Sequence, residues 1–256
     1  MNSFQKFKQL HQSTKPFLLG NSWDVNSAKV FEANGYQAIG VSSQALSNAM
    51  GYDDGENLPF DVLLSVAKRV VQVVNIPFSV DMEGGYSRSI NGILENISKL
   101  HDVGVVGLNL EDTIPTATRE LQPIAGFQKT LVAMADHISR NNLQMFLNIR
   151  TDAFLLGMPT ALSETLTRIK SYESLGADGI FVPCITNSAD IASVVKATSL
   201  PINVMCMPNL PGFHDLERLG VKRISMGPFL FNKVYQQAGQ LAKTVMDDAN
   251  FSSMFS

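Results

Sequence analysis

The segment LHDVGVVGLNLED (residues 100–112) contains the pattern that decides the fold of this chain. It begins in the end of an amphipathic helical pattern, continues through a glycine into a run rich in β-branched and aliphatic residues, and ends in acidic side chains. Glycine adopts the left-handed conformation at a helix C′ position without a Cβ clash. The pattern therefore predicts a helix that leads directly into a strand. Three more segments repeat it: FEANGYQAIGVSS (31–43), YESLGADGIFVPC (172–184) and LERLGVKRISMG (216–227), so that the four C′ glycines are Gly35, Gly104, Gly176 and Gly220.

Four further apolar runs predict strands between these units. They are FLLGNS (17–22), IPFSVDME (76–83), LQMFLNIRTD (143–152) and LPINVMC (200–206). Helical patterns alternate with them, for example at 59–74 and 161–176, where apolar residues recur at spacings of three and four. Eight βα units in 256 residues predict an α/β fold, a (β/α)8 TIM barrel, with a doubly wound open sheet as the alternative. No linker or low-complexity segment interrupts the chain, so we expect a single barrel domain over residues 1–256.

Composition excludes several classes of function. A net charge of -3 without any lysine or arginine block argues against nucleic acid as a partner. No apolar run reaches membrane-spanning length, so we expect no membrane partner. The two cysteines, Cys184 and Cys206, match no zinc or CxxC spacing. We interpret them as small core residues of a reduced, cytoplasmic protein.

Polar side chains gather at the carboxyl ends of five successive predicted strands, the end that carries the active site in barrel enzymes. Asp81 and Glu83 end the third strand, and because side chains alternate along a strand, both should point to the same face. The other candidates at strand ends are Asn21, Trp23, Asp24, Ser42, Ser43, Asn109, Glu111, Asp112, Asn148, Arg150 and Asp152.

Carboxylates from neighbouring strands suit a hard divalent cation, which predicts a site for Mg²⁺, or Mn²⁺ in its place, with Asp81, Glu83 and Glu111 as direct or water-mediated ligands. Arg150 would offer a planar fork to a substrate carboxylate or phosphonate. Together they predict a site for a small anionic acid that reacts through an enolate. The alternative for the Asp81 and Glu83 pair is a solvated edge or a salt bridge. Arg150 could instead pair with Asp152 or Glu111 as packing at the rim.

Six ordered segments resemble the signature segments of the isocitrate lyase and phosphoenolpyruvate mutase superfamily. They are NSWDVNSA, IGVSSQALSNAMGYDDGE, SVDMEGGY, GLNLEDT, NIRTDAF and GADGIFVP, within residues 15–230. The resemblance implies a (β/α)8 barrel and magnesium-dependent cleavage or formation of C–C or P–C bonds in 2-oxo acids or related acids. It also implies a homodimer or homotetramer in which the C-terminal helical segment, about 228–256, is swapped between subunits. That segment suits an ordinary eighth barrel helix equally well.

The resemblance also implies roles for individual residues. Asp81 and Glu83 match the metal-binding acids, and Glu111 matches the acid that holds the water shell of the metal. Arg150 matches the arginine that contacts the substrate, and Asp54 matches an active-site aspartate. Substrate-binding positions follow from the same match or from their places at the mouth of the barrel: Trp23 as a wall of the pocket, Ser42, Ser43, Gln44, Tyr86 and Asn148.

The chain departs from the best-known members where the leaving group is handled. Residues 112–125 contain no lysine, cysteine or histidine, whereas the lyases carry a KKCGH loop there. Pro183 stands where the mutase has a histidine. Cleavage of the oxaloacetate decarboxylase kind needs no protein nucleophile, so we expect a magnesium-dependent C–C lyase, with the segment 113–126 as a gate that excludes water. The alternatives are phosphonopyruvate or phosphoenolpyruvate P–C chemistry, by a mutase or hydrolase, and a non-catalytic barrel that binds a metabolite.

Overall fold

The barrel predicted from the repeats is present. The computed structural model describes residues 1–114 and 119–255, and within them eight parallel strands close into a barrel in the order β1-β10-β9-β8-β7-β4-β3-β2. Because β1 pairs with both β2 and β10, the sheet has no open edge, and the open-sheet alternative is wrong. The barrel strands are β1 (Phe17–Ser22), β2 (Ala38–Val41), β3 (Phe78–Asp81), β4 (Gly107–Glu111), β7 (Phe146–Arg150), β8 (Gly179–Val182), β9 (Ile202–Met205) and β10 (Arg223–Ser225).

Helices follow the strands around the barrel. They are α1 (Ser3–Gln12), α2 (Val25–Ala33), α3 (Ser43–Ala49), α4 (Phe60–Val71), α5 (Ile90–Asp102), α6 (Ile124–Arg140), α7 (Ala161–Glu173), α8 (Ser188–Lys196), α9 (Phe213–Leu219) and α10 (Phe229–Asp248), followed by a short 3-10 helix at Ser252–Met254. All four glycines of the repeat have left-handed φ angles, between 81° and 98°, as the pattern predicts. The repeat therefore has a local physical cause, which is the sharp exit from each helix into the next strand.

Side chains that alternate along the strands form two buried regions, one between the strands and the helices and one inside the barrel. Leu108, Ile149 and Ile180 point outward into a continuous apolar layer beneath the helices, where they are buried. Asn109, Asn148 and Asn203 point into the barrel instead, and the Asn148 amide donates to Asn109 Oδ1 at 2.9 Å and to Asn203 Oδ1 at 3.2 Å. The barrel interior is consequently polar and hydrogen-bonded, and it leads upward to the carboxyl ends of the strands.

Two local features differ from the prediction. Strand β3 ends at Asp81, and Glu83 lies in a turn with a φ of 49°, so simple alternation does not orient its side chain. The segment after β4 is not a plain loop, because β5 (Thr113–Ile114) pairs antiparallel with β6 (Glu120–Leu121). The proposed gate at 113–126 thus includes a short hairpin, and its residues 115–118 lie outside the described residues.

The cysteines are not core residues, contrary to the interpretation from composition. Cys184 is half-buried and Cys206 is exposed. Both follow directly after the carboxyl ends of barrel strands, where the chain leaves the packed layer for the loops. In the part of the chain that the structure describes, no helix is long and apolar enough to cross a membrane.

Helix α1 closes the amino end of the barrel. Phe7 contacts Phe17 and Phe146 edge to face, and the His11 ring stacks on Phe146 with 4.0 Å between centroids. His11 Nδ1 lies 2.8 Å from the Phe7 carbonyl oxygen. Burial, helped by the nearby positive charge of Arg223, lowers the pKa of His11 to about 3. The imidazole is therefore neutral in the folded protein.

We predict that His11 makes the fold acid-sensitive. Since its pKa is about 3 when folded and 6.5 when unfolded, the unfolded chain binds more protons between these values, and stability falls as the pH falls from 6.5. As the pH falls from about 7.5 to about 5, protonation of this group in the unfolded chain should lower the free energy of unfolding by about 2 kcal/mol. Urea unfolding of His11→Gln should show a pH dependence weaker by that amount, whereas the exposed His214→Gln should behave like the wild type. Equal pH dependence in the wild type and His11→Gln would refute the assignment.

Candidate active site

A cavity of about 360 Å³ opens at the carboxyl ends of the barrel strands. Eight of the residues predicted from the sequence line it: Asn21, Ser42, Ser43, Gln44, Asp54, Asp81, Asn109 and Arg150. Arg119 adds to its polar wall, and Leu155, Leu156 and Phe181 form an apolar side. A larger hollow of about 790 Å³ lies beside α1, at the opposite end of the barrel, but none of its described lining residues is a carboxylate. Of these two cavities, the smaller one combines acids and arginines suited to bind and activate a small acid.

Asp81 is the acid that stands at the cavity floor. Its Oδ2 accepts a hydrogen bond from Ser43 Oγ at 3.0 Å and lies 3.9 Å from Arg150 Nη1. Its Oδ1 is buried and has no hydrogen-bond partner among the described residues. A buried carboxylate oxygen without a partner is costly, so this atom suits a ligand that the described part of the chain does not supply.

Glu83 lies behind Asp81 and is held by two loops. Its Oε1 accepts from the Tyr86 hydroxyl at 3.0 Å, and its Oε2 accepts from the Glu56 backbone N–H at 2.9 Å. Burial and the nearby charges of Asp54, Asp81 and Glu111 raise the pKa of Glu83 to about 8. The cluster is thus too rich in negative charge to keep every acid ionised without an added cation.

Arg150 is clamped by Asp152 and Glu111. Its Nε and Nη2 donate to the two oxygens of Asp152 at 2.6 and 3.0 Å, and its Nη1 lies 3.1 Å from Glu111 Oε2. Burial opposes the guanidinium charge, but these carboxylates outweigh it and hold the pKa of Arg150 well above its ordinary value. Arg150 therefore pairs with both residues of the packing alternative, and it also lines the cavity. The two interpretations of Arg150 are compatible.

Arg119 is a site residue that was not predicted from the sequence. This residue precedes β6, lines the cavity, and donates from Nη1 to Glu111 Oε2 at 2.9 Å and to Asp152 Oδ2 at 3.2 Å. Its Nη2 lies 3.6 Å from Asp54 Oδ2. The signal available in the sequence was the single arginine in residues 112–125, the segment after β4.

A second buried network supports the site from behind. Asp112 Oδ2 accepts from Arg168 Nη1 at 3.0 Å and from the Tyr172 hydroxyl at 2.8 Å, while its Oδ1 accepts from the Asp152 backbone N–H at 3.2 Å. Arg168, Asp112 and Tyr172 are all buried. The α7 side chains thereby fix the backbone of Asp152, which in turn orients Arg150.

Three predicted substrate-binding residues do not line the cavity. Trp23 packs edge to face on Phe231, with 5.3 Å between centroids. Tyr86 donates to Glu83, and Asn148 lies deeper in the barrel with its amide held by two asparagines. Glu83 and Glu111 also stand behind the cavity wall. These residues surround the site and support the side chains that line it.

The acids do not form a ready three-ligand metal site. Among the described residues, no three histidine, cysteine, aspartate or glutamate side chains converge closely enough to hold a metal ion by themselves. Both oxygens of Glu83 and both of Glu111 are occupied by protein donors. Asp81 Oδ1 is the exception, since it is buried and unpartnered within the described part of the chain. This donor set fits a cation bound directly by one or two carboxylates and otherwise through water, the manner usual for Mg²⁺.

A closed parallel barrel with acids and arginines at the carboxyl ends of its strands defines a TIM-barrel enzyme. Comparison with known proteins identifies the family: residues 7–246 match the phosphoenolpyruvate phosphomutase family. The chain therefore belongs to that family.

Individual relatives are similar over most of the chain. An uncharacterised protein of Mycobacterium tuberculosis is 30% identical over 241 residues, covering 94% of this chain and 89% of the relative. An oxaloacetate decarboxylase of Marinomonas sp. is 26% identical over 225 residues, covering 85% and 75%. A crystal structure of a Burkholderia cenocepacia protein, provisionally called a phosphonomutase, superposes with a TM-score of 0.89 at 33% identity, covering 94% and 99%.

We predict that the Arg168 and Asp112 pair is the main buried electrostatic support of the site. Arg168→Ala would leave the fully buried Asp112 without its guanidinium, which should reduce the unfolding free energy by about 3–5 kcal/mol. Arg140→Ala removes an exposed pair with Asp136 and should cost at most about 1 kcal/mol. Urea denaturation measures both values. A loss for Arg168→Ala no larger than that for Arg140→Ala would contradict the proposed support.

Proposed function

We propose that this protein is a magnesium-dependent lyase that cleaves a C–C bond of a small 2-oxo diacid, most like an oxaloacetate decarboxylase. The observation that carries the proposal is the cavity in which Asp81 and Arg150 meet, with a buried carboxylate oxygen at its floor that has no hydrogen-bond partner among the described residues. Similarity to oxaloacetate decarboxylases over most of the chain supports the substrate class.

The metal would be held by Asp81, with Glu83 and Glu111 acting through its water shell, and Mn²⁺ could replace Mg²⁺. When bound, it would supply Lewis-acid stabilisation for negative charge that develops on the substrate oxygens. The acid cluster favours such an ion because burial and mutual repulsion already raise the pKa of Glu83 to about 8. A divalent cation would relieve that repulsion.

The side chains that line the cavity would bind and orient the substrate and stabilise the enolate. Arg150 is fixed by Asp152, so it can present its charge to a substrate oxygen without reorganisation. Ser43 and Gln44 lie at the start of α3 beside Asp81, where they can orient a carboxylate. Asp54 also lines the cavity, and burial together with the charge of Asp81 raises its pKa. We assign these residues to binding and orientation, with Arg150 stabilising the enolate.

The bond changes balance without a protein nucleophile. In oxaloacetate, the bond between C3 and the distal carboxylate breaks, the carboxylate leaves as CO₂, and the bonding electrons pass into the enolate of pyruvate. A proton from water then completes pyruvate. This sequence suits a chain whose segment 112–125 contains no cysteine, lysine or histidine to act on a leaving group.

The likeness to the Burkholderia cenocepacia protein favours a second candidate, which is P–C bond chemistry on phosphonopyruvate or phosphoenolpyruvate. It shares the metal and Arg150 and differs only in the group that leaves. A non-catalytic barrel that binds a metabolite is the third candidate, although it has no need of an enolate-stabilising arginine beside the acids.

We predict magnesium-dependent release of pyruvate from oxaloacetate, faster than with the metal alone, in a panel that also contains phosphonopyruvate, 2-methylisocitrate, isocitrate and dimethylmalate. Asp81→Asn should reduce this release by at least about 100-fold, because it removes the charge that would hold the metal. Its circular dichroism and Tm should remain close to those of the wild type. The exposed Asp136→Asn serves as the control and should retain full activity.

The outcomes separate the candidates. Release from phosphonopyruvate alone would move the protein to P–C chemistry. Full activity in Asp81→Asn would remove the metal assignment. If no acid of the panel releases pyruvate although magnesium still binds, the result would argue against the decarboxylase. The non-catalytic barrel that binds a metabolite would then be the remaining candidate.

We further infer that α10 packs against a second copy of the chain, as the family resemblance implies for residues 228–256. Within the described structure, Phe231 is the only buried residue of α10, while Tyr235, Leu241 and Met246 are exposed. Apolar exposure on this scale is typical of an interaction surface. A cytoplasmic location, where the free thiols of Cys184 and Cys206 stay reduced, is part of the same proposal.

We predict a homodimer or homotetramer in solution. Light scattering after size exclusion should give twice or four times the mass of the chain for the wild type. Leu241→Glu should lower the mass, because it places a charge in the apolar contact, whereas the neighbouring Gln240→Glu should not. A monomeric wild type would rule the interface out.

A further inference from the structure

Arg119 brings a second guanidinium to the cavity from outside the barrel. It lies at the return arm of the β5–β6 hairpin, whereas Arg150 ends a barrel strand. Both side chains line the same cavity, and both contact Glu111 and Asp152. The two cations therefore approach the same space from different structural elements.

The two guanidiniums differ in how much of each is available to a ligand. Arg150 uses Nε and Nη2 in a two-point contact with Asp152 and Nη1 toward Glu111, and its side chain is 12% exposed. Arg119 contacts both acids through Nη1 alone, its Nη2 stands 3.6 Å from Asp54, and its side chain is 20% exposed. Arg119 consequently has an outer edge that can meet an anion without breaking its inner contacts.

We propose that Arg119 binds the distal anionic group of the substrate and so makes the site selective for dianionic over monoanionic 2-oxo acids. The inference rests on the proposed function, because it takes the reacting 2-oxo end to lie at Asp81 and Arg150. With that end at the floor, the distal group of a small diacid lies toward the hairpin and Asp54. A guanidinium there offsets the negative charge of the surrounding carboxylates, which would otherwise repel a second anion.

The chemistry of the leaving group fixes the kinetic signature. A distal carboxylate that departs as CO₂ loses its charge on the way to the transition state, so a guanidinium paired with it stabilises the bound substrate at least as much as the transition state. Such an interaction affects KM and does not raise kcat. Arg119 is therefore a specificity residue, and Arg150 is the group that stabilises the enolate.

The test compares the wild type with Arg119→Gln, with Arg140→Gln as a control that removes an exposed arginine on α6. For oxaloacetate with magnesium, we expect KM to rise about tenfold or more in Arg119→Gln, as for the loss of a charge-assisted hydrogen bond, with kcat unchanged or higher. Arg140→Gln should match the wild type. An unchanged KM, or a fall in kcat at constant KM, would overturn the proposal.

A binding measurement keeps this inference separate from the proposed reaction. Calorimetry with magnesium compares malate, a stable diacid with the carbon skeleton of oxaloacetate, with pyruvate, which lacks the distal carboxylate. The wild type should prefer malate, and Arg119→Gln should lose most of that preference while pyruvate affinity changes little; equal weakening of both ligands would overturn the proposal. If oxaloacetate is not turned over, the decarboxylase proposal fails, but the ratio of malate to pyruvate affinity still decides the role of Arg119.

If Arg119→Gln does not fold, Arg119→Lys retains the positive charge among the acids. An ammonium lacks the planar fork of the guanidinium, so the preference for malate should still fall. A preference equal to that of the wild type would count against recognition by the guanidinium.

Discussion

Closure of the parallel sheet is the constraint on which the site depends. Pairing of β1 with β10 and of β4 with β7 fixes the register around the described barrel, so that Asp81 stands beside Asn109 and Glu111 beside Arg150. Parallel strands bring all their carboxyl ends to one rim, which is why side chains far apart in sequence share one cavity. The apolar layer under the helices then holds this register, since a slip of one residue would turn Leu108 and Ile149 into the barrel interior.

The charges at the rim of the barrel oppose the stability of the folded protein. Within the described residues, Asp54, Asp81, Glu111 and Asp152 lie against two guanidiniums, those of Arg119 and Arg150, and Glu83 adds a further acid behind Asp81. Burial makes the excess negative charge more costly, because water screens it less. A structure under selection for stability alone would not keep on Asp81, beside other acids, a buried oxygen that finds no partner in the described part of the chain. The arrangement makes sense if a small cation and an anionic ligand complete the charge balance during function.

Much of the fold and part of the site could be predicted from the sequence. The helix, glycine and strand pattern is local, so it predicted four of the eight strands and the left-handed angles of Gly35, Gly104, Gly176 and Gly220, while apolar runs predicted the other four strands. The positions of Asp81 and Arg150 followed from strand ends. Trp23 and Arg119 could not be placed in this way, because their positions depend on packing against Phe231 and on a hairpin that strand periodicity does not show.

Strand alternation does not orient the Glu83 side chain, because Glu83 lies in a turn after β3. Hydrogen bonds to neighbouring loop residues position it instead. Glu56, Glu83 and Tyr86 all have left-handed φ angles, between 49° and 60°, which costs free energy for residues with a Cβ. They stabilise one another: Glu56 donates its backbone N–H to Glu83, and Tyr86 donates its backbone N–H to Glu56 and its hydroxyl to Glu83. Each strained residue is thus fixed by the other two. Asp54 lies two residues before Glu56 and Asp81 two residues before Glu83, and both aspartates line the cavity. The hydrogen bonds among Glu56, Glu83 and Tyr86 therefore hold together the two loops that carry these acids, and the strain is retained where it positions them.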